Sequence, residues 1–371
     1  MKNYQYARSV KLIYSGDDYF ETLQGLIRKA KQQIHIQTYI FELDETGSSI
    51  LSELTEAVKR GVTVNFLADG YGSRNISNPE VERIRKTGIN FRLFSTFFSR
   101  ESIYMGRRLH HKIVVADGNT ALVGGINIAN KYKGSANDPA WLDYSVLIEG
   151  NVCEELVAIC ESFFYKTKFS KPVVVRETEA KIQIRFLQND WIRGRNQVHK
   201  AYRKALYIAD RRIVFVASYF LPGYRFRKAL KHARSRGVEI WLILAGKSDM
   251  PFLFFAEKYF YPFFLQNGFR IFEWNNSVMH GKAILVDKDW VTIGSYNMNP
   301  LSHYLSIELN AEIRNHSFAA EFQEHIETIA RSGCREVKPA EQYGNFLSRL
   351  RNSIVYYFFK FIFLLFVSRK R

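Results

Sequence analysis

The stretch LHHKIVVADGNTALVGGIN, residues 109–127, sets out a histidine, a lysine, an aspartate, two glycines and an asparagine at intervals that recur in MHGKAILVDKDWVTIGSYN, residues 279–297. The members are His110, Lys112, Asp117, Gly124, Gly125 and Asn127, then His280, Lys282, Asp287, Gly294, Ser295 and Asn297. A histidine and a lysine two positions apart on a strand project from one face, and a cation beside an imidazole suits a phosphate. One histidine can attack phosphorus while the other, protonated, delivers a proton to the leaving oxygen. Lys112, Lys282, Asn127 and Asn297 can hold the non-bridging oxygens where charge builds up, and Gly125 and Ser295 let backbone approach the substrate phosphate. This chemistry requires no metal and no cofactor. Asp117 and Asp287 fall at turns beyond the strand and are read as structural. An acid on the second nitrogen of each imidazole would complete the set, and Asp143 in WLDYSVLIEG and Glu308 in YLSIELNAEI lie downstream of the two motifs.

The elements around the motifs also repeat. AKQQIHIQTYIF and RGVTVNFLADG precede the first motif, and ADRRIVFVASYFLPG and RGVEIWLILAGKSD precede the second. Helical runs such as YFETLQGLIRKA and NQVHKAYRKALYIA alternate with β-branched strands, which is the pattern of an α/β unit. The expectation is two similar α/β/α sandwich lobes, residues 1–172 and 173–334, related by a pseudo-dyad with one active site at their interface. Residues 335–371 belong to neither copy and are read as a basic, apolar, membrane-associating tail.

The chain of 371 residues is long enough for two well-filled cores, and its formal net charge of +17 draws it towards polyanions, either nucleic acid or an anionic membrane surface. Cys153, Cys160 and Cys334 show no metal-ligand or CxxC spacing, so a reducing compartment without disulfides is expected. The first two are read as core positions on one helix face. MKNYQYARSVKLIYSGDDYF carries no apolar export signal.

The doubled HxKxxxxD motif resembles the defining motif of the phospholipase D superfamily, and the resemblance runs from about Val10 to Ile329. Within it, GGINIANKY, WLDYSVLIEG, ASYFLPG, RGVEIWLILAGKSD and GSYNMNP are similar to bacterial cardiolipin synthases that lack amino-terminal membrane helices. The resemblance implies a metal-independent phosphatidyltransferase that makes cardiolipin from phosphatidylglycerol through a covalent phosphohistidine intermediate. It also implies His110 as nucleophile and His280 as general acid, with Asp143 and Glu308 as their respective orienting partners. NMNPLS departs from the family by carrying Asn299 and Leu301 where related synthases commonly have an aspartate and an arginine, which bears on acceptor choice.

Other signals are set aside. AGKSD lacks the glycine of a phosphate loop, because Trp241 stands at that position. His35 is read as structural or facing the cleft, and His199, His232, His303, His316 and His325 form no zinc-like group. The aromatic run from Met250 to Gly268 is read as a core helix interrupted by Pro262, with one face open to lipid. Ile354 to Val367 is apolar except for Lys360 but shorter than the ~20 residues needed to span a bilayer. Arg349, Arg351, Arg369, Lys370 and Arg371 flank it, so it is read as an interfacial or re-entrant anchor on the cytoplasmic face of the membrane, peripheral or monotopic, with a packed terminal helix and a tilted span as the alternatives. Anionic phospholipids, phosphatidylglycerol and cardiolipin, are the expected partners. A hydrolase releasing phosphatidic acid, a nuclease and a non-catalytic basic membrane tether are the rival readings; the greasy tail and the aromatic run argue against nucleic acid, and a tether would not require both motifs intact.

Overall fold

The structure, a computed structural model, describes residues 3–95, 107–175, 177–338 and 346–368, with side chains as far as 363. After β1 (Gln5–Ala7), the first lobe runs β2 (Ser9–Tyr14), α1 (Asp17–Lys29), β3 (Gln33–Thr38), α2 (Glu45–Lys59), β4 (Thr63–Asp69), α3 (Asn78–Lys86) and β5 (Asn90–Phe94). It continues through β6 (Arg108–Leu109), the hairpin β7 (Ile113–Ala116) and β8 (Thr120–Gly124), α4 (Asn130–Lys133), β9 (Tyr144–Glu149) and α5 (Glu154–Phe164).

The second lobe repeats this order. It comprises β10 (Ile182–Asp190), β11 (Arg195–Asn196), α6 (Gln197–Ile208), β12 (Arg212–Ala217), α7 (Tyr224–Ser235), β13 (Glu239–Ala245), α8 (Pro251–Lys258), α9 (Tyr261–Gln266) and β14 (Arg270–Trp274). Then follow β15 (Lys282–Val286), β16 (Trp290–Gly294), α10 (Pro300–Tyr304), β17 (Ser306–Arg314), α11 (His316–Ser332), β18 (Cys334–Val337) and α12 (Phe346–Ser368).

The first sheet has the order β2-β9-β8-β7-β3-β4-β5, and the second contains β10-β17-β16-β15-β12-β13-β14, the same path element for element. In each, the strands preceding the motif pair in parallel, as alternating helices require, while the motif hairpin runs antiparallel beside them. The lobes are not sealed from one another. β1 pairs with β10 and β6 with β17, so the chain of the first lobe adds two strands to the second sheet, and β18 extends that sheet beyond β14. One apolar core is shared, with Val115, Val123 and Val146 of the first sheet and Val216, Ile243 and Ile293 of the second in a single cluster with α5 and α11. Cys153 and Cys160 are buried in it.

Two sequence expectations change in detail. The aromatic run from Met250 makes two short helices, because Pro262 lacks the N–H an uninterrupted helix needs and instead sits in the first turn of α9. The apolar segment beginning at Ile354 lies inside a 23-residue helix, α12, whose inner face packs on α8. Tyr356 stacks on Tyr259 at 4.3 Å between ring centroids, and Phe359 is buried near Phe252. Among the described residues no helix is long and apolar enough to cross a membrane.

The two motif aspartates sit in the turns that close the hairpins, both with left-handed backbone, φ 52° at Asp117 and 53° at Asp287. The Asp117 carboxylate accepts the backbone N–H groups of Lys31, Gln32 and Gln33, each within 2.9 Å, at the start of β3. Asp287 does the same for Asp210, Arg211 and Arg212 at the start of β12. Each clamp locks the motif hairpin to its neighbouring strand. Partial burial pushes the Asp117 carboxyl up, but the three backbone donors outweigh it and hold the pKa below the usual range. Replacing Asp117 by alanine should therefore destabilise the fold by about 1.5–3 kcal/mol, and by asparagine less, since asparagine tolerates positive φ. Because the folded-state pKa is depressed, this contribution is present above the unfolded carboxyl pKa and disappears as pH falls through the folded one. Urea unfolding of wild type and Asp117→Ala at neutral and at acid pH measures both effects, and their difference should shrink in acid.

Candidate active site

His110 and His280 meet at the lobe interface in one cavity of about 400 Å³. Each arrives by way of strand pairing with the other lobe. β6 pairs in parallel with the start of β17, and the His110 N–H donates to the Ile307 carbonyl at 2.9 Å. In the symmetric place Leu142 bridges Met279, and the His280 N–H donates to the Leu142 carbonyl at 2.8 Å. The residue following each of these anchors carries the acid of the opposite lobe.

The acid partners are consequently exchanged. Nδ1 of His110 lies 2.8 Å from Glu308 Oε2, and Nδ1 of His280 lies 2.5 Å from Asp143 Oδ2. The expected pairing of each histidine with the acid downstream of its own motif is corrected: β9 and β17 carry their acids to the interface, where the nearest imidazole belongs to the other repeat. Both carboxylates are fully buried. Nδ1 of His110 also faces the Ser295 carbonyl at 3.0 Å, so both its partners are acceptors. That nitrogen therefore carries the proton, which leaves a lone pair on Nε2 of the neutral ring. His280 differs, since its Nδ1 faces the Asp143 carboxylate and, at 3.0 Å, the Lys282 ammonium.

The lysines sit behind the histidines. Lys112 Nζ donates to the His110 carbonyl at 3.0 Å, and Lys282 Nζ donates to the His280 carbonyl. Burial drives both lysines below their usual pKa, Lys112 strongly, with each opposed by the nearby carboxylates. Burial also lowers His110 against the pull of Glu308, and lowers His280 further, with Lys282 adding to the effect. The Asp143 carboxyl is pushed up to about 6 by burial, in spite of Lys282. Aromatic rings frame both imidazoles, Tyr39 against His110 at 4.8 Å and Tyr132 against His280 at 5.3 Å.

Three residues expected to touch the substrate phosphate instead shape the acid and strand positions. A Cβ at Gly125 would fall 2.2 Å from Asp143 Oδ1, so glycine makes room for the carboxylate. Ser295 occupies the equivalent place and donates its hydroxyl to Glu308 Oε2 at 2.6 Å. Asn127 is fully buried: its Oδ1 accepts the Ile40 N–H at 2.9 Å and its Nδ2 donates to the Tyr132 hydroxyl at 2.7 Å. Asn297 does line the cavity, with Oδ1 held by the Ser218 hydroxyl at 2.8 Å, which leaves its amide nitrogen as a donor for a substrate oxygen. The departures Asn299 and Leu301 both line the cavity as well, and the Asn299 side chain caps α10 through the Ser302 N–H.

Residues absent from the sequence expectation complete the site. Asp249 lines the cavity, accepts from the Tyr219 hydroxyl and opposes the lowering of the His280 and Lys282 pKa values by burial. The buried Asp69 carboxylate accepts the Leu109 N–H at 2.8 Å, fixing the residue before His110, and burial raises its pKa to about 6. Asp69 ends β4, in LADG, and Asp249 stands in the loop that follows β13, in GKSD, positions that often serve function. Met250, Leu253, Leu301 and Leu305 give the mouth an apolar lip. His35, by contrast, is buried beside Gln33 with its pKa lowered by burial to about 4, and takes no part in the cavity.

The chain matches the family described as "Cardiolipin synthase, PLD-like domain" over residues 23–162 and 202–330. It is 30% identical over 341 residues to cardiolipin synthase B of Escherichia coli (strain K12), covering 88% of this chain and 82% of that one. It is 31% identical over 322 residues to the cardiolipin synthase of Geobacillus kaustophilus, covering 82% of this chain and 62% of that one. The crystal structure of phosphatidylserine synthase from Haemophilus influenzae superposes with a TM-score of 0.77 at 15% identity, covering 97% of this chain and 95% of that one. The fold is therefore that of the phospholipase D superfamily, and the chain belongs to the cardiolipin synthase family with phospholipase D-like domains.

Proposed function

We propose that the protein is a phosphatidyltransferase that joins two phosphatidylglycerols into cardiolipin and glycerol. The observation that carries this reading is the pair of histidines, each held by the other lobe's acid, in one cavity with an apolar lip. His110 Nε2 attacks the phosphorus of the first lipid. The P–N bond forms as the P–O bond to the headgroup glycerol breaks, and His280 gives its Nε2 proton to the departing oxygen. A hydroxyl of the second phosphatidylglycerol then gives its proton to His280 and attacks phosphorus, releasing His110. Lys112, Lys282 and the Asn297 amide offset charge on the non-bridging oxygens.

The acceptor-only surroundings of His110 Nδ1 support its assignment as nucleophile, because they leave the lone pair on Nε2. At His280, the buried Asp143 carboxylate stabilises the imidazolium that the acid step requires. The incoming phosphodiester adds a negative charge that counters the two lysines and restores basicity to both rings.

The relatives named for cardiolipin synthesis also support action at a membrane. We assign α12 as the docking element, on the cytoplasmic face, where the three free cysteines stay reduced. Its outer face shows Leu347, Leu350, Ile354, Tyr357, Phe358 and Phe361 exposed at helical spacing, although its inner face is already packed. An apolar stripe of this kind beside basic residues suits a lipid interface.

Three outcomes are expected. Phosphatidylglycerol vesicles should yield cardiolipin and glycerol, undiminished by EDTA, and His110→Ala or His280→Ala should each cut the rate by roughly 10³-fold or more; phosphatidic acid as the main product would mark a hydrolase instead. With a nitrophenyl phosphodiester, whose leaving group needs no proton, His280→Ala and Asp143→Asn should retain a nitrophenol burst, while His110→Ala and Glu308→Gln lose it. A burst in the His110 variant alone would reverse the roles. Finally, Ile354→Glu with Phe361→Glu should reduce sedimentation with anionic vesicles while changing unfolding stability by no more than about 0.5 kcal/mol per site; unchanged sedimentation would remove α12 from the docking surface.

A further inference from the structure

A second cavity, of about 520 Å³, lies away from the histidines, between α8, α9, β18 and the amino-terminal part of α12. Among the described residues five cationic side chains line it, Arg227, Lys258, Arg335, Arg349 and Arg351, against one carboxylate, Glu273. Glu273 is already committed. Its oxygens take Lys258 Nζ, the Arg335 guanidinium at 2.7 Å and the Tyr261 hydroxyl at 3.1 Å; burial pushes its carboxyl up, but the two cations hold it below the usual range.

Arg227 and Arg351 make no ion pair among the described residues. Arg227 donates to the Pro222 carbonyl at 2.6 Å and lies over the Phe260 ring at 4.8 Å. Arg351 lies over the Phe255 ring at 3.8 Å. Aromatic faces thus hold the two guanidinium planes in place while leaving them the hydrogen-bonding capacity that a phosphodiester satisfies. The volume falls within the range of small-molecule sites.

What adjoins the cavity narrows the class of ligand. Along α12 the cavity residues run from Ser348 to Ser353, and the exposed apolar residues Ile354, Tyr357, Phe358 and Phe361 follow directly. Tyr259 and Tyr357 stand at this junction with their hydroxyls 3.2 Å apart, a pair of amphipathic rings where a headgroup layer meets acyl chains. α8 links the two cavities, with Met250 and Leu253 at the active-site lip and Lys258 in the basic cavity.

We propose that this cavity binds the phosphodiester headgroup of an anionic phospholipid, separately from the catalytic site, with the acyl chains lying along the outer face of α12. The bound lipid seats α12 and α8 on an anionic membrane so that the apolar lip of the active site faces the lipid supply.

The test uses the full chain with His110→Ala, which prevents turnover, and dihexanoyl-phosphatidylglycerol below its micelle concentration, titrated calorimetrically. Arg227→Gln with Arg351→Gln should abolish one binding event or weaken it at least tenfold, and Arg227→Lys with Arg351→Lys should retain it. Unchanged binding in the glutamine variant overturns the proposal. Equal affinity for inorganic phosphate would make the cavity a small-anion site, and equal affinity for dihexanoyl-phosphatidylcholine would remove the charge argument; either result overturns it. Should the glutamine variant fail to fold, hydrogen exchange in the folded His110→Ala protein decides, and a lack of lipid-dependent protection at residues 258–263 and 346–353 counts against the site. Because nothing here depends on catalysis, failure of the transfer reaction and failure of this site are separate results.

Discussion

The structure depends on an exchange. The acid that holds each catalytic-type histidine comes from the other repeat, Glu308 for His110 and Asp143 for His280. Neither lobe could assemble a histidine with its acid alone. The short strand pairings that precede the two histidines set this geometry, and the shared apolar core behind them keeps the sheets from sliding. A displacement at the interface would break both pairs at once and leave two buried carboxylates without partners, a costly state in a low-dielectric interior.

Burial also sets the electrostatics of the cavity. Two histidines, two lysines and two acids stand together with little exposure, and removal from water lowers the pKa of every base among them. The negative charge of an incoming phosphodiester would favour protonation of these bases again, with no solvent to screen the attraction. Asp69 and Asp249 extend the same logic outward, one holding the backbone before His110 and the other placing negative charge near His280.

Much of this was legible in the sequence, because two copies of one pattern carry their own internal control. Alternating helices and strands, doubled, specify the lobes, and the spacing of His110, Lys112 and Asp117 against His280, Lys282 and Asp287 specifies the site. The pairing of acids was not legible: distance along the chain favours the downstream acid, whereas packing of two repeats about a pseudo-dyad favours the opposite one. The role of Gly125 was hidden for a related reason, since its constraint is the Asp143 carboxylate against it and not a ligand. Asn127 and Asn297 occupy equivalent positions, yet only the second reaches the cavity, because Ile40 and Tyr132 consume the first. α12 was visible as an apolar segment, but its division into a packed face and an open one depends on α8, which no local pattern reveals.

The differences between the repeats are where the duplicated scaffold becomes one enzyme. Where the first repeat has Gly125 beside the shorter acid, Asp143, the second has Ser295 beside the longer one, Glu308, and the serine hydroxyl fills the hydrogen-bonding role that glycine leaves open. The two imidazoles are thereby held in different surroundings, His110 between acceptors only and His280 between a carboxylate and an ammonium. A two-step transfer through a covalent intermediate needs such inequivalence, because a nucleophile must keep its lone pair free while its counterpart must gain and lose a proton. Perfect symmetry would give both rings the same proton affinity and neither a defined task. The substitutions that break the repeat thus fall at the residues that set each imidazole's second nitrogen, where a small change in partner has the largest effect on the proton affinity of each ring.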